Sequence, residues 1–280
     1  MIKYILIWLL TFVLLFGVSL GEQSNAGEMS LLVINVRKAD ALLLRSGNSA
    51  YLIDTGTKKG SDALLEVLRK EGITRLDGVI LTHTHADHVG GLKALVESDI
   101  EIENIYAPGY YTLKKEDGKH PVEKALKKTD RNWTALYAGD ELPLDGGKLT
   151  VLGPLVKNEE LENNNSLVLL AEGGGGSMLL TGDMEFPEEE SLLNAGKIPH
   201  ADVLKIGNHG EGDATSSALV NAVSPALAVI STNSEDEPDT PDPRVLMTLK
   251  NFQVPVLVTE DTEEGILVTL RNGELLKEMK

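Results

Sequence analysis

The sequence predicts an α/β protein in which two β-sheets pack together with helices on the outside. Three observations predict it. Short apolar runs alternate with helical segments from residue 29 almost to the end. Strands come first, then helix–strand units, and the whole order repeats, which suits two packed sheets better than one doubly wound sheet. No G-x-G-x-x-G follows a first strand and no Walker sequence occurs, so nucleotide-cofactor chemistry has no support.

The elements follow in order. "SLLVINV" (30–36), "ADALLLRS" (39–46) and "SAYLID" (49–54) read as successive strands parted by turn residues. Ser61 is placed to cap a helix that carries Leu64, Leu65 and Leu68 on one face and stops at Gly72. "LDGVILT" (76–82) is a buried strand, and "GGLKALVES" (90–98) a short helix after it. "IENIYAPG" and "LTVLGP" are further strands around a polar stretch at 110–134 with little pattern. Four glycines between "SLVLLAE" (166–172) and "SMLLTGD" (177–183) signal a hairpin. A helix at 187–195, the strand "ADVLKIG" (201–207), a helix at 215–223 and the strand "ALAVIST" (226–232) come next. The acidic, proline-rich loop "EDEPDTPDP" (235–243), a helix near 244–251, and the strands "VPVLVT" and "GILVTL" close the domain, expected over 29–280.

The first residues stand apart. "MIKYILIWLLTFVLLFGVSLG" (1–21) has one charge, Lys3, followed by an almost wholly apolar run and small residues suited to cleavage. It reads as a secretory signal peptide, with an uncleaved membrane anchor as the alternative. An exported protein is expected. The chain has no cysteine, so neither a disulfide framework nor a lipoprotein thiol is available. Its net charge of −17 repels nucleic acid and anionic membranes unless a basic patch intervenes. The candidate patches are Lys114–Lys115 and Lys124, Lys127, Lys128 and Arg131, whose plainer reading is solvated surface charge.

One stretch carries the chemistry. "LTHTHADHVGG" (81–91) places three of the six histidines within six positions, directly after a buried strand. In an extended segment His83 and His85 point the same way and can clasp one ion, while Asp87 and His88 suit a second beside it. Imidazole and carboxylate donors favour zinc, with manganese and iron as competitors. Gly90 and Gly91 are expected to let the backbone turn sharply beneath the site. Asp183 and His209 each end an apolar run, where a buried polar group is costly without a cation, and both join the candidate ligands. Asp54, ending "YLID", fits an acceptor that orients a ligand imidazole.

H-T-H-A-D-H at 83–88, T-G-D at 181–183 and N-H-G at 208–210 resemble the metallo-β-lactamase fold superfamily. "NNNSLVLL" before "LLTGD", and then "ADVLKIGNHG", looks most like its ComEC competence-protein branch, over nearly all of residues 29–271. The resemblance implies a four-layer αββα sandwich of two mixed sheets flanked by helices, with two divalent metals at one edge, zinc first and manganese second. It implies His83 and His85 on one metal, Asp87, His88 and His209 on the other, and Asp183 bridging them. Asp87 and Asp183 would be the catalytic carboxylates, activating water for attack on a phosphorus or acyl carbon. No histidine stands where many members carry a third ligand, which leaves Asn165 or Ser166 to complete the first metal's shell through water. Two further departures bear on substrate. Asn208 stands where the branch commonly has a histidine, and Glu237-Pro238-Asp239 replaces a Gly-His-Pro segment. The expected substrate is a phosphodiester, DNA included, or a small ester, lactam or lactone. The alternative is a catalytically altered, metal-containing binding or accessory module of a DNA-uptake-like system. No protein partner is inferable.

Overall fold

A computed structural model describes residues 27–112 and 119–280. The N-terminal apolar segment and the Lys114–Lys115 patch lie outside the described residues. In chain order the elements are β1 (Glu28–Ile34), β2 (Leu42–Ser46), β3 (Ser49–Ile53), α1 (Ser61–Lys70), β4 (Arg75–Ile80), α2 (Ala86–Val89), α3 (Leu92–Val96), β5 (Glu101–Pro108), α4 (Pro121–Leu126) and β6 (Thr134–Leu136). There follow β7 (Glu141–Leu144), β8 (Gly147–Gly153), β9 (Val168–Gly173), β10 (Gly176–Leu180), α5 (Phe186–Asn194), β11 (Val203–Lys205), α6 (Ser217–Val223), β12 (Leu227–Ile230), α7 (Pro243–Asn251), β13 (Val256–Val258), β14 (Gly265–Arg271) and β15 (Glu274–Met279). Among the described residues, no helix is long and apolar enough to cross a membrane.

The strands form two mixed sheets. One has the order β15-β14-β1-β2-β3-β4-β5-β6 and the other β13-β12-β11-β10-β9-β8-β7. The pairings β3–β4, β4–β5 and β5–β6 are parallel, as are β10–β11, β11–β12 and β12–β13. Side-chain alternation along each strand explains the layering. In β1, Leu31 and Val33 enter the layer between the sheets, while Leu32 and Ile34 face the helices. The inter-sheet layer sets Leu44, Ile53 and Ile80 with Leu149, Leu169, Met178 and Val229. Outside, Leu64, Leu68, Leu92, Leu95 and Val122 cover the first sheet, and Leu192, Leu219, Val223, Val245 and Leu249 cover the second. Each buried leucine of this kind contributes about 1.5–3 kcal/mol. The result is the αββα sandwich that the resemblance implies.

Several local expectations change. The residue capping α1 is Gly60, and Ser61 is already helical, its hydroxyl donating to the Lys58 carbonyl (2.9 Å). The helix expected over 90–98 is the shorter α3, and a separate short helix, α2, precedes it and takes in Asp87 and His88. Gly90 and Gly91 have ordinary helical φ values of −64° and −83°, so no sharp turn needs them. They are required by closeness instead. A Cβ on Gly91 would lie 2.1 Å from the Thr55 carbonyl oxygen, and one on Gly90 would lie 2.3 Å from that of Ala86. β15 escaped the periodicity reading because its side chains are mostly exposed on an edge. The Asn272-Gly273 turn before it, with φ of 52° and 81°, is the hairpin signal that announces it.

Candidate metal centre

Both sheets deliver polar side chains at one edge, just past the C-terminal ends of their parallel strands, where such sheets present ligand-binding groups. Asp54 follows β3, Thr82 and His83 follow β4, Asp183 follows β10, His209 follows β11 and Ser231 follows β12. His85 is extended (φ −70°, ψ 154°) and opens α2, which places Asp87 and His88 a helical turn further on. Gly182 lets β10 end abruptly before Asp183. Its φ is +51°, and a Cβ there would lie 3.0 Å from the Cβ atoms of Ser166 and Thr82. Asp54, Asn208 and His209 also occupy the left-handed region (φ 60°, 46° and 53°), a strained backbone of the sort that clusters at functional sites.

The six expected ligands come together. Asp87, His88, Asp183 and His209 offer ligand atoms within 4.8 Å of one another, and so do His83, His85 and Asp183. Asp183 belongs to both groups. Its Oδ2 lies 3.6 Å from His83 Nε2 and 3.1 Å from His88 Nε2, and its Oδ1 lies 3.5 Å from His209 Nε2. Asp87 Oδ2 is 3.5 Å from the same His209 nitrogen.

Hydrogen bonds on the far side of the rings set which nitrogen is free. His209 Nδ1 faces the Ser231 carbonyl oxygen (2.9 Å), which only accepts, so Nδ1 carries a proton and Nε2 is the nitrogen left to meet an ion. His88 Nδ1 donates to Asp54 Oδ2 (2.7 Å) with the same consequence. His83 Nδ1 lies 3.2 Å from the Thr82 hydroxyl. The Nε2 atoms of His83, His88 and His209 and Asp183 Oδ1 are therefore buried, convergent and without hydrogen-bond partners. Four orphaned donor atoms of nitrogen and carboxylate oxygen type fit divalent cations.

Charge follows the same geometry. Burial lowers the pKa of His83, and the neighbouring His88 adds to the effect, so this imidazole is neutral at pH 7. Burial alone would lower His88 as well, but Asp183 and Asp54 on either side raise it well above the usual range. His209 is raised against its burial by Asp183 and Asp87. Burial would push Asp183 up, yet His88, His209 and His83 outweigh it and hold the carboxyl well below its ordinary value. Asp87 is lowered against its burial by His209 and His88.

The remaining candidates are placed as follows. Asp54 is fully buried and also accepts from the backbone N–H and hydroxyl of Thr82, both at 2.7 Å. Ser166 Oγ accepts from the Asp183 backbone N–H (3.1 Å), beside the shared carboxylate. Asn165 is committed elsewhere: Oδ1 accepts from the Asn158 N–H, and Nδ2 reaches the Asn158 carbonyl and the Thr112 hydroxyl. Asn208 donates to Asp213 Oδ1 (3.0 Å).

Sequence reasoning missed three supports. Glu162 Oε1 accepts from the Thr84 N–H (3.0 Å) and hydroxyl, and its other oxygen takes the Thr112 N–H. Asp40 binds the buried Lys205 ammonium (3.1 Å) and the Ser231 hydroxyl, underpinning the carbonyl that orients His209. Charges inside the apolar runs "ADALLL" and "VLKIG" were the available signal for that pair. Thr82 links Asp54 to His83 and had none.

A family model described as "Metallo-beta-lactamase superfamily" matches residues 34–232. The chain is 31% identical over 255 residues to ComE operon protein 3 of Bacillus subtilis, covering 85% of this chain and 32% of that protein. It is 29% identical over 243 residues to competence protein ComA of Neisseria gonorrhoeae, with the same two coverages. It thus spans about a third of the length of these curated relatives. The metallo-β-lactamase fold protein YhfI of Bacillus subtilis superposes with a TM-score of 0.55 at 17% identity, over 86% of this chain and 99% of that one. That likeness is one of fold.

Proposed function

Since the chain belongs to the metallo-β-lactamase superfamily, we propose that it is a metal-dependent hydrolase with a two-metal site, acting on a phosphodiester. The observation that carries this reading is the convergence of three buried, unpartnered imidazole nitrogens on the Asp183 carboxylate. His83 and His85 would hold one cation, Asp87, His88 and His209 the other, and Asp183 would span both. Zinc suits this donor set best, with manganese next. Cations bound there supply Lewis acidity and lower the pKa of water towards neutrality.

The chain's own groups do the positioning. Asp54 and the Ser231 carbonyl lock the tautomers of His88 and His209, and Ser166 holds the backbone of Asp183. Asp87, at 32% side-chain exposure, is the ligand carboxylate that meets solvent, placed to orient an incoming water. Kinship with competence proteins supports a phosphodiester, DNA included. The charge of −17 argues for a short or small substrate over a long duplex gripped along its backbone. The apolar N-terminal segment supports placement outside the cytoplasmic membrane. Asn208, which replaces a histidine and spends its amide on Asp213, favours a second reading, a metal-containing binding or accessory module without turnover.

The test is metal analysis of protein purified without chelator, followed by zinc- or manganese-dependent assays on bis(p-nitrophenyl) phosphate, single-stranded DNA, nitrocefin and a lactone. Phosphodiester hydrolysis is expected, and His85→Ala or Asp183→Ala should lower kcat/KM at least about a thousandfold without unfolding the chain. Bound metal with no turnover on any substrate would favour the second reading. Protein without metal would sink both.

A further inference from the structure

The mouth of the metal site carries an ion pair that water activation does not use. Asp87 is 32% exposed and His85 is half-buried, whereas His83, His88, Asp183 and His209 are at most 3% exposed, so the site opens to solvent on the side of Asp87 and His85. Lys38 stands at that entrance. The loop that bears it is fixed to the site by a hydrogen bond from the Asp40 N–H to the Asp87 carbonyl (3.2 Å). Lys38 Nζ lies 2.5 Å from Glu211 Oε1 and 3.8 Å from Glu237 Oε2. Glu211 is two residues past His209, so the pair spans the mouth from a loop of the first sheet to a loop of the second.

The neighbouring residue ties the same loop to the acidic segment at 235–236. Arg37, at φ +68°, forks onto Asp236 (2.7 and 2.8 Å) and reaches Glu235 (3.2 Å). The Lys38 side chain is only 19% exposed. Burial alone would lower its pKa, but Glu211, Glu237 and Asp87 outweigh that and raise it, so it stays charged. Glu211 is freer. Its side chain is 35% exposed, and among the described residues Lys38 is the group that holds its carboxylate. Carboxylate and phosphate oxygens are equivalent acceptors for an ammonium, which binds either as a point charge.

We propose that Lys38 is the anion-recognition residue of this site, binding a phosphate oxygen of the substrate, and that Glu211 occupies its ammonium until the substrate displaces it. This deepens the hydrolase reading and rests on it. It makes substrate class a matter of charge: an ester that carries an oxyanion gains a contact that a neutral ester or lactone lacks. Glu211 is then an internal competitor that weakens binding of every anion.

The plainer role for such a pair is a latch between two loops, and the two roles differ in sign. A latch is lost equally in Lys38→Gln and Glu211→Gln, which would then change together. An anion site changes in opposite directions. Binding of inorganic phosphate, measured by calorimetry with and without added zinc, is expected to weaken about tenfold in Lys38→Gln and to tighten about threefold or more in Glu211→Gln. Lys38→Arg should keep the affinity near that of the wild type. The ratio of kcat/KM for bis(p-nitrophenyl) phosphate to that for p-nitrophenyl acetate should fall about tenfold in Lys38→Gln. A gain in Glu211→Gln cannot come from misfolding. Equal affinities in the two glutamine variants, or weaker binding in both, overturn the assignment. Absence of turnover in the wild type would remove the hydrolase reading, and the phosphate affinities would still decide the role of Lys38.

Discussion

Asp54 shows how much of the site's order is invested in one side chain behind the convergent histidines. It is fully buried and accepts three hydrogen bonds of 2.7 Å, two from Thr82 and one from His88. Burial pushes its pKa up, while His88 and Thr82 pull the other way without cancelling the rise. Asp54→Asn keeps the volume but removes the negative charge that fixes the His88 ring. Metal affinity is expected to fall about 10–100-fold, by competition with a chromophoric chelator; unchanged affinity would show that Asp54 serves the backbone turn alone. Asp54, Asp183 and His209 were legible because each is a polar group at the end of an apolar run. Glu162 was not, because its contact with Thr84 joins residues 78 apart in sequence. The partners of Asn165 were not legible for a related reason: nothing local shows that Asn158 and Thr112 fold back to engage its amide.

At the scale of elements, the strand ends and helix starts around the cluster matter more than their lengths. α2 has four residues and α3 five, too short to be stable alone, and they are held by packing against the segment after β3. Gly91 sits at that crossing. Gly91→Ala would drive a methyl group into the Thr55 carbonyl, which overpacks the seam carrying Asp87 and His88. A loss of about 1–3 kcal/mol or more is expected in urea unfolding, with weaker metal binding alongside it. A change below ~0.5 kcal/mol would mean the crossing yields easily. Periodicity located the buried strands because both their faces are covered and their apolar runs are nearly continuous. It missed the short or exposed ones: β6 has three residues, β7 alternates over only four, and β15 is an edge strand.

Taken whole, the molecule divides its ligands between its two sheets. His83, His85, Asp87 and His88 come from the first, and Asp183 and His209 from the second. Cations bound by both sets should therefore stabilise the folded chain as a unit. At a free concentration about 100 times the dissociation constant the gain is about 2.7 kcal/mol. Stripping the metal should lower Tm by several degrees in calorimetry, with recovery on adding zinc; a Tm that does not move would place the ions outside the seam. The layer arrangement was legible from the order of strands and helices. The pairing of the two ligand sets was legible only through the motifs, since periodicity says nothing about which strand ends meet.

The same division of ligands has a consequence for how this chain meets its surroundings. With no cysteine, a long-range cross-link here would be made of ions, joining residues about a hundred positions apart, a separation at which a covalent bridge would usually be a disulfide. A disulfide answers to thiols and oxidants. A metal-linked seam would answer to free metal and to acidity, because each imidazole must be neutral to bind. An oxidising compartment and a reducing one would then find it equally intact, while acid or a strong chelator would loosen one sheet from the other.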